Sequence, residues 1–133
     1  IQVLVAIKCL DEGVDIPSTR TAFILASSTN PREFVQRRGR ILRLAEGKTE
    51  AYIYDFIVVP SAVGSGMAGD MGISILRKEM PRFAEFASSA LNEFEARACV
   101  REILNRYGML NLLDEKPWDV YHQLNSINGV IDE

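Results

Sequence analysis

Two arginines, Arg40 and Arg43, are the residues of this 133-residue chain whose type and spacing best fit a chemical role. They lie in segment 36–43, which holds four arginines in eight residues. Residues three apart on an α-helix share one face, so the two guanidinium groups would point the same way. Such a pair matches phosphate oxygens and can neutralise the charge on a transferred phosphoryl group. The same composition is also typical of an ordinary solvated basic face.

Apolar runs on both sides of this segment predict a parallel sheet. Residues 3–7 are continuously apolar, which is typical of a strand buried on both faces. Residues 21–26 form a second such run, and residues 51–59 form a third that is bounded by Pro60. The order of strands and helix therefore predicts an α/β fold.

The arginine segment itself is predicted to lie on a helix. Asn30 has the chemistry of a helix cap, Pro31 fits the first turn, and Glu33 follows the cap by three residues. The helix is expected to end near Leu42, with Gly47 closing the region. Arg40 and Arg43 would then lie at its carboxyl end.

Two short motifs, taken together in this order, carry a family resemblance. They are Glu12-Gly13-x-Asp15-x-Pro17 and Gln36-x-x-Gly39-Arg40-x-x-Arg43. The pair resembles motifs V and VI of superfamily 2 helicases and translocases. The sequence of the two motifs is most similar to the branch that includes type I and type III restriction motor subunits and DEAD/DEAH-type relatives. The resemblance covers residues 1 to about 59.

The resemblance implies a fold and a set of residue roles. The segment would be the C-terminal half of a second RecA-like domain, a partial parallel sheet of the P-loop NTPase type with about three strands. Gly13 and Asp15 would line the nucleotide side of a cleft, with Asp15 near the ribose. Gln36 would connect the nucleotide to the domain interface. Arg40 and Arg43 would reach the phosphates of ATP as catalytic residues.

The parts that bind ATP and Mg²⁺ most directly are not found in this sequence. No phosphate-binding loop of the form G-x-x-x-x-G-K-[ST] and no magnesium-holding acid pair occurs. Residues 47–49 mimic the tail of that loop, but Leu42 stands where its first glycine should be, and a strand is predicted to follow. We therefore expect a fragment that is inactive alone, binds no metal itself, and acts with an N-terminal RecA-like domain that holds ATP and Mg²⁺.

The composition bears on which partners the protein binds and on which cellular compartment it occupies. The net charge of −3 does not favour a free-standing nucleic-acid binder, so DNA or RNA, with DNA favoured, is expected only as the partner of a whole motor. Cys9 and Cys99 are isolated and are predicted to be reduced and structural. No secretory signal or membrane-spanning stretch is evident, which favours the cytoplasm.

The chain is expected to divide at a glycine-rich stretch. We predict the RecA-like part over 1–60, a linker over 61–72, and a helical extension over 73–133. Apolar residues at steps of three and four define one helix face, and the members of that face are Ile73, Leu76, Met80, Phe83, Ala87, Ala90 and Phe94.

Proline and glycine set the expected helix boundaries in the extension. Pro81 should separate a short helix from a long one that ends near Tyr107, where Gly108 stops it. A last helix is expected near 117–124, with Trp118 as a core anchor. An alternative function follows from this reading, in which the chain is a non-catalytic nucleic-acid or protein interaction module that self-associates as a homo-oligomer through the long helix.

Overall fold

The computed structural model describes residues 16–61 and 66–127, and it is a mixed α/β structure. The chain divides into two compact units, residues 1–56 and residues 57–133. The elements are β1 (Thr21–Ile24), α1 (Pro31–Ile41), β2 (Tyr52–Asp55), α2 (Met67–Ser88), α3 (Glu93–Arg106), a short 3₁₀ helix (Leu110–Leu113) and α4 (Pro117–Ile127). The predicted strand near residues 3–7 lies outside the described residues.

The first unit is built around two parallel strands joined through α1. Thr21 pairs with Tyr52 and Ile24 pairs with Asp55, so β1 and β2 are in register along their whole length. Ile24 of β1 and both Phe34 and Ile41 of α1 are buried. The parallel order agrees with a partial RecA-like sheet, and two of its expected strands are described.

Both strands are shorter than predicted. The runs 21–26 and 51–59 contain strands that end at Ile24 and Asp55. One more pairing bond follows, from the Phe56 amide to the Ile24 carbonyl at 2.9 Å. The Val58 amide donates instead to the Glu79 carboxylate on α2 at 3.2 Å, so the chain leaves the strand pair at this point.

The prediction that β1 is buried on both faces was wrong for the described residues. Phe23 is 62% exposed and Leu25 is 75% exposed, although Ile24 between them is buried. Successive side chains of a strand point to opposite faces, and in β1 the face of Ile24 is buried while the face of Phe23 and Leu25 is exposed. The exposed face carries Phe23 stacked on Tyr54, with ring centroids 5.0 Å apart.

The predicted start of α1 is confirmed. The Asn30 side chain accepts a hydrogen bond from the Arg32 amide at 3.0 Å, which satisfies one of the helix's unpaired first-turn donors. Pro31 occupies the first turn, where its missing N–H costs nothing, and Glu33 places a negative charge near the positive end of the helix dipole. The helix ends at Ile41, one residue from the predicted end.

The second unit is helical and encloses its own core. The cluster consists of Leu76, Met80, Val100, Leu104, Met109, Leu112, Leu113 and Val120. Leu76, Met80 and Ala87 of the predicted helix face are buried, as expected. Phe94 is 74% exposed, because it belongs to α3, a different helix from the one whose periodicity predicted it.

The predicted helix break at Pro81 was wrong. Helix α2 runs through Pro81 to Ser88, and the break falls at residues 89–92. Pro81 is buried beside Met80, and the next residue, Arg82, is 2% exposed and bridges to Glu79 at 2.8 Å. This packing offsets a cost of roughly 3 kcal/mol for an interior proline.

Hydroxyl groups explain why α2 ends at Ser88. The Ser88 hydroxyl donates to the Glu85 carbonyl at 2.8 Å, and the Ser89 hydroxyl donates to the Phe86 carbonyl at 3.3 Å. These side-chain donors compete with main-chain amides for the last carbonyls of the helix. The expected single long helix is therefore two helices, α2 and α3.

The start of α2 falls inside the stretch predicted as a glycine-rich linker. The helix begins at Met67, so part of segment 61–72 is helical. Gly72 lies against Tyr107 of the second unit, and a Cβ atom at Gly72 would be 2.3 Å from the Tyr107 hydroxyl oxygen. At this position glycine permits a close contact and does not mark a flexible connection.

The predicted stop at Gly108 is confirmed. Gly108 has φ of +65°, the left-handed conformation that glycine adopts without strain. The Met109 amide donates to the Leu104 carbonyl at 2.8 Å and the Gly108 amide donates to the Asn105 carbonyl at 3.0 Å. This pattern is a Schellman motif, and Met109 and Leu104 both lie in the core.

Three further predictions concerned Trp118, the two cysteines and membrane-spanning helices. Trp118 is 45% exposed and is not a core anchor, since Val120 is the residue of α4 that enters the core. Cys99 is a free thiol, as predicted, but it is exposed, and Cys9 lies outside the described residues. Among the described residues, no helix is long and apolar enough to cross a membrane.

Candidate functional site

Helix α1 separates a buried face from a polar face. Phe34 and Ile41 are seven residues apart and both are buried, which fixes the inner face. At 100° per residue, Gln36 lies about 160° from Phe34, on the opposite side of the helix, and Arg40 lies about 120° from Phe34, on its flank. Gln36 is exposed and Arg40 is half-buried. The fold therefore turns the motif's polar residues away from the core.

Arg43 lies two residues beyond the last residue of α1. The Leu42 amide donates to the Arg38 carbonyl at 3.0 Å, and the Arg43 amide donates to the Arg40 carbonyl at 3.4 Å. These bonds continue the turn of the helix past Ile41, and the role of Gln36, Arg40 and Arg43 in one site stays a prediction. Arg43 is exposed.

Lys48 fastens the end of this helix. Its ammonium group donates to the carbonyl oxygens of Ile41 at 2.7 Å, Arg43 at 2.7 Å and Pro17 at 3.1 Å. The three donors of a lysine ammonium are thus matched by three main-chain acceptors. Sequence reasoning missed this role and considered Lys48 only as part of a false phosphate-loop motif.

A tight turn over residues 45–48 places Lys48 next to the carboxyl end of α1. The Lys48 amide donates to the Ala45 carbonyl at 3.0 Å, and Gly47 has φ of +72°. A side chain at residue 47 would therefore strain the backbone. Strand β2, and not a helix, follows the turn, so the helix N-terminus that a phosphate-binding loop requires is absent here.

A serine contact holds the amino-terminal half of α1. The Arg37 guanidinium donates to the Ser27 hydroxyl oxygen at 2.7 Å. The Asn30 amide donates to the Ser28 hydroxyl oxygen at 3.0 Å, which orders the loop between β1 and α1. A Ser-Ser-Thr-Asn-Pro sequence before a helix was the available signal, although it indicates a loop and not the particular arginine that the loop contacts.

Two predicted site residues, Gly13 and Asp15, lie outside the described residues. Over the part of the chain that the structure describes, no group of three or more His, Cys, Asp or Glu residues could hold a metal ion. The residues present thus offer guanidinium groups that fit phosphate oxygens. Among the described residues, no carboxylate cluster fits Mg²⁺.

The parallel strands and the arginine helix between them define the chain's first unit as a piece of an α/β domain, and comparison with known proteins adds the family. Residues 1–45 match the family described as Helicase conserved C-terminal domain. The N-terminal part of the chain is therefore similar to the C-terminal domain of helicases.

Two curated proteins named as a helicase and a translocase are also similar to the chain. The chain is 37% identical over 57 residues to "Putative helicase 22" of Sulfolobus islandicus filamentous virus, over 43% of this chain and 10% of the viral protein. It is 45% identical over 42 residues to "DNA 3'-5' translocase XPB2" of Sulfurisphaera tokodaii, over 32% of this chain and 10% of the translocase. The chain thus spans about a tenth of the length of these curated relatives. No solved structure matches it.

Proposed function

We propose that this chain supplies the arginine side of the ATP cleft in an ATP-dependent helicase or translocase that acts on DNA. The observation that carries this proposal is that Gln36 and Arg40 lie away from the buried face of α1, while Lys48 binds the carbonyls at the helix end. Arg40 and the exposed Arg43 have the guanidinium geometry that matches phosphate oxygens.

The chemistry proposed for the two arginines is stabilisation of developing charge. ATP and Mg²⁺ would be held mainly by a first RecA-like domain, and closure of the cleft would bring Arg40 and Arg43 to the phosphates. The guanidinium groups would then neutralise charge on the phosphoryl oxygens during hydrolysis. Gln36 would link the nucleotide to the domain interface, and Gly13 and Asp15 would line the nucleotide's ribose side.

DNA is the proposed nucleic-acid partner. The translocase relative is named for action on DNA, and motors of this kind contact mainly the phosphate backbone. Sequence preference would then have to arise elsewhere in the whole protein. The chain alone is proposed to have no ATPase activity, because the described residues contain no phosphate-binding loop.

The proposal is tested by ATPase assays of the intact protein, with and without single- and double-stranded DNA. Arg43→Ala and Arg40→Ala should each lower kcat by about 10³- to 10⁵-fold, the range known for arginine fingers. KM for ATP should change little if the arginines act mainly in the transition state. Arg101→Ala is the matched control, because Arg101 is exposed on α3 and lies outside the motif.

Normal turnover in either finger variant would overturn the mechanism. Equal losses in Arg101→Ala would point to general destabilisation in place of a phosphate contact. An intact, folded protein without ATPase activity under any condition would remove the motor proposal altogether.

The alternative of a self-associating interaction module has less support. It depended on one long helix with an unpaired apolar face, but α2 and α3 are separate helices, and the apolar residues Leu76, Met80 and Leu104 pack within the helical unit. That face is therefore occupied by the chain's own core.

A further inference from the structure

We propose that Lys48 is a positioning residue for Arg43, and that it fixes the arginine-bearing end of α1 to the segment that follows the first motif. The inference rests on the proposed function for its effect on ATP turnover. The structural effect of Lys48 can be measured separately.

The contacts of the ammonium group join two parts of the chain that are distant in sequence. One acceptor is the Pro17 carbonyl, which ends the Glu12-to-Pro17 motif. The other two acceptors are the carbonyls of Ile41 and Arg43 at the end of α1. A single side chain therefore ties both motifs of the helicase-like part to each other.

The position of the acceptors explains why they need a cation. The last carbonyls of an α-helix have no partner within the helix, and they carry the negative end of its dipole. The Lys48 ammonium satisfies one of these oxygens, that of Ile41, as well as the Arg43 carbonyl just beyond the helix, and its charge opposes the negative end of the dipole. Because the Arg43 carbonyl is itself an acceptor, the backbone from which the Arg43 side chain extends is held directly.

The geometry favours lysine over arginine. Three carbonyls converge on one nitrogen atom, which suits a compact ammonium whose three hydrogens rotate freely. A guanidinium is a flat fork with its donors in one plane, so it would keep the charge but could not reproduce all three bonds. Gly47 is also required, since its positive φ brings residue 48 back towards the helix end.

The expected consequence is a loss of turnover with little loss of ATP affinity. Misplacement of a catalytic group by about 1 Å can cost on the order of 100-fold in rate. In the intact protein, Lys48→Met should therefore lower kcat roughly 10- to 100-fold while KM for ATP stays within about twofold. Lys48→Arg should give an intermediate kcat. Lys78→Met, at an exposed lysine on α2, is the control and should leave kcat unchanged.

Amide hydrogen exchange of the 133-residue chain provides a readout independent of ATP. Lys48→Met should speed exchange at the Leu42 and Arg43 amides on the order of tenfold, the scale of one charge-assisted hydrogen bond, while Ile24 in β1 keeps its protection. If the intact protein lacked ATPase activity, the proposed function would fail, and this exchange result would still decide the positioning claim.

Three outcomes would overturn the proposal. Unchanged exchange at Leu42 and Arg43 would show that Lys48 does not hold the helix end. A lower kcat without faster exchange would indicate that Lys48 contacts the nucleotide itself. If Lys48→Met unfolded the first unit, the positioning role would be tested with Lys48→Arg instead. An unchanged kcat in that variant would exclude a positioning role.

Discussion

In the helical unit, Leu76, Met80 and Leu104 are completely buried, whereas in the arginine-bearing unit Phe23 and Leu25 leave most of their surface exposed. The helical unit thus draws its stability from a closed apolar core. Over its described residues, the arginine-bearing unit buries few large apolar side chains, among them Ile24, Phe34 and Ile41.

The difference teaches how the candidate site is held in place. Where a core is small, polar contacts must fix an element's position, and α1 has three such contacts. Asn30 caps its start, Ser27 accepts from Arg37, and Lys48 binds the carbonyls at its end. The helical unit instead fixes its helices by packing, as the Leu104 and Met109 contact at the Gly108 stop illustrates.

The largest expected effect is on the core of the helical unit. Leu104→Ala should lower the free energy of unfolding by about 2–5 kcal/mol, because it removes a fully buried side chain and leaves a cavity. Urea unfolding followed by the fluorescence of Trp118, the chain's single tryptophan, would measure it. Leu91→Ala, at a residue 95% exposed, should change the value by less than about 0.5 kcal/mol. Similar small losses for both variants would mean that the core is not closed.

Two glycine-to-alanine variants would sharpen the contrast between the units. Gly72→Ala should destabilise the helical unit by about 1–3 kcal/mol, since the new methyl group would meet Tyr107 and force it to move. Gly39→Ala should stabilise α1 by up to about 1 kcal/mol, because nothing lies within 4 Å of the new atom and alanine favours a helix. The first would be measured by urea unfolding and the second by amide exchange in α1. A destabilising Gly39→Ala would reveal a contact at this face of the helix.

A smaller effect is expected at the start of α1. Asn30→Ala should destabilise the first unit by about 1 kcal/mol, because the cap bond to the Arg32 amide is lost. Asn92→Ala is a matched control, since Asn92 occupies the corresponding position of α3 and makes no side-chain cap bond. Exchange rates of first-turn amides in both helices would compare them. Equal changes would contradict a special role for polar anchors in the first unit.

The smallest effect concerns ionisation on the exposed face of the strand pair. The Glu50 carboxylate accepts a hydrogen bond from the Tyr52 hydroxyl, and this bond, with the nearby negative charge, raises the pKa of Tyr52 above its ordinary 10.0. The protonated phenol is favoured in the folded state, so any stability linked to it is present below the unfolded pKa and is lost as pH rises through the folded pKa. Glu50→Gln should move the Tyr52 pKa back towards 10.0 in an ultraviolet titration. Gln123→Glu, which adds a carboxylate on α4, is the control and should leave the Tyr52 pKa where it is.

The elements nearest the motifs were predictable from the sequence, because local chemistry determines them. Asn30 and Pro31 signal a helix start through their own backbone preferences, and Gly108 signals a stop through its left-handed conformation. The polar side of α1 was also predicted in part, since Arg40 and Arg43 are spaced by three residues, close to one helical turn. These features need no knowledge of distant contacts.

The features that could not be predicted depend on tertiary contacts. Pro81 has a strong local tendency to end a helix, but burial beside Met80 overrides it. Lys48 carries no signal of its role, because its three acceptors are main-chain carbonyls that any residue type could supply. The exposure of Trp118 likewise follows from which residue of α4 meets the core.

The parallel pairing of β1 with β2 also has a consequence for the order of folding. Thr21 can pair with Tyr52 only after the whole of α1 and the turn at Gly47 have been brought back along the first strand. Closing such a loop costs conformational entropy before any pairing bond forms, whereas contacts within a helix are local and form quickly. The helices of the second unit should therefore form on a faster timescale than the strand pair, and the surface that carries Arg40 and Arg43 should be among the last parts of the chain to reach its final shape.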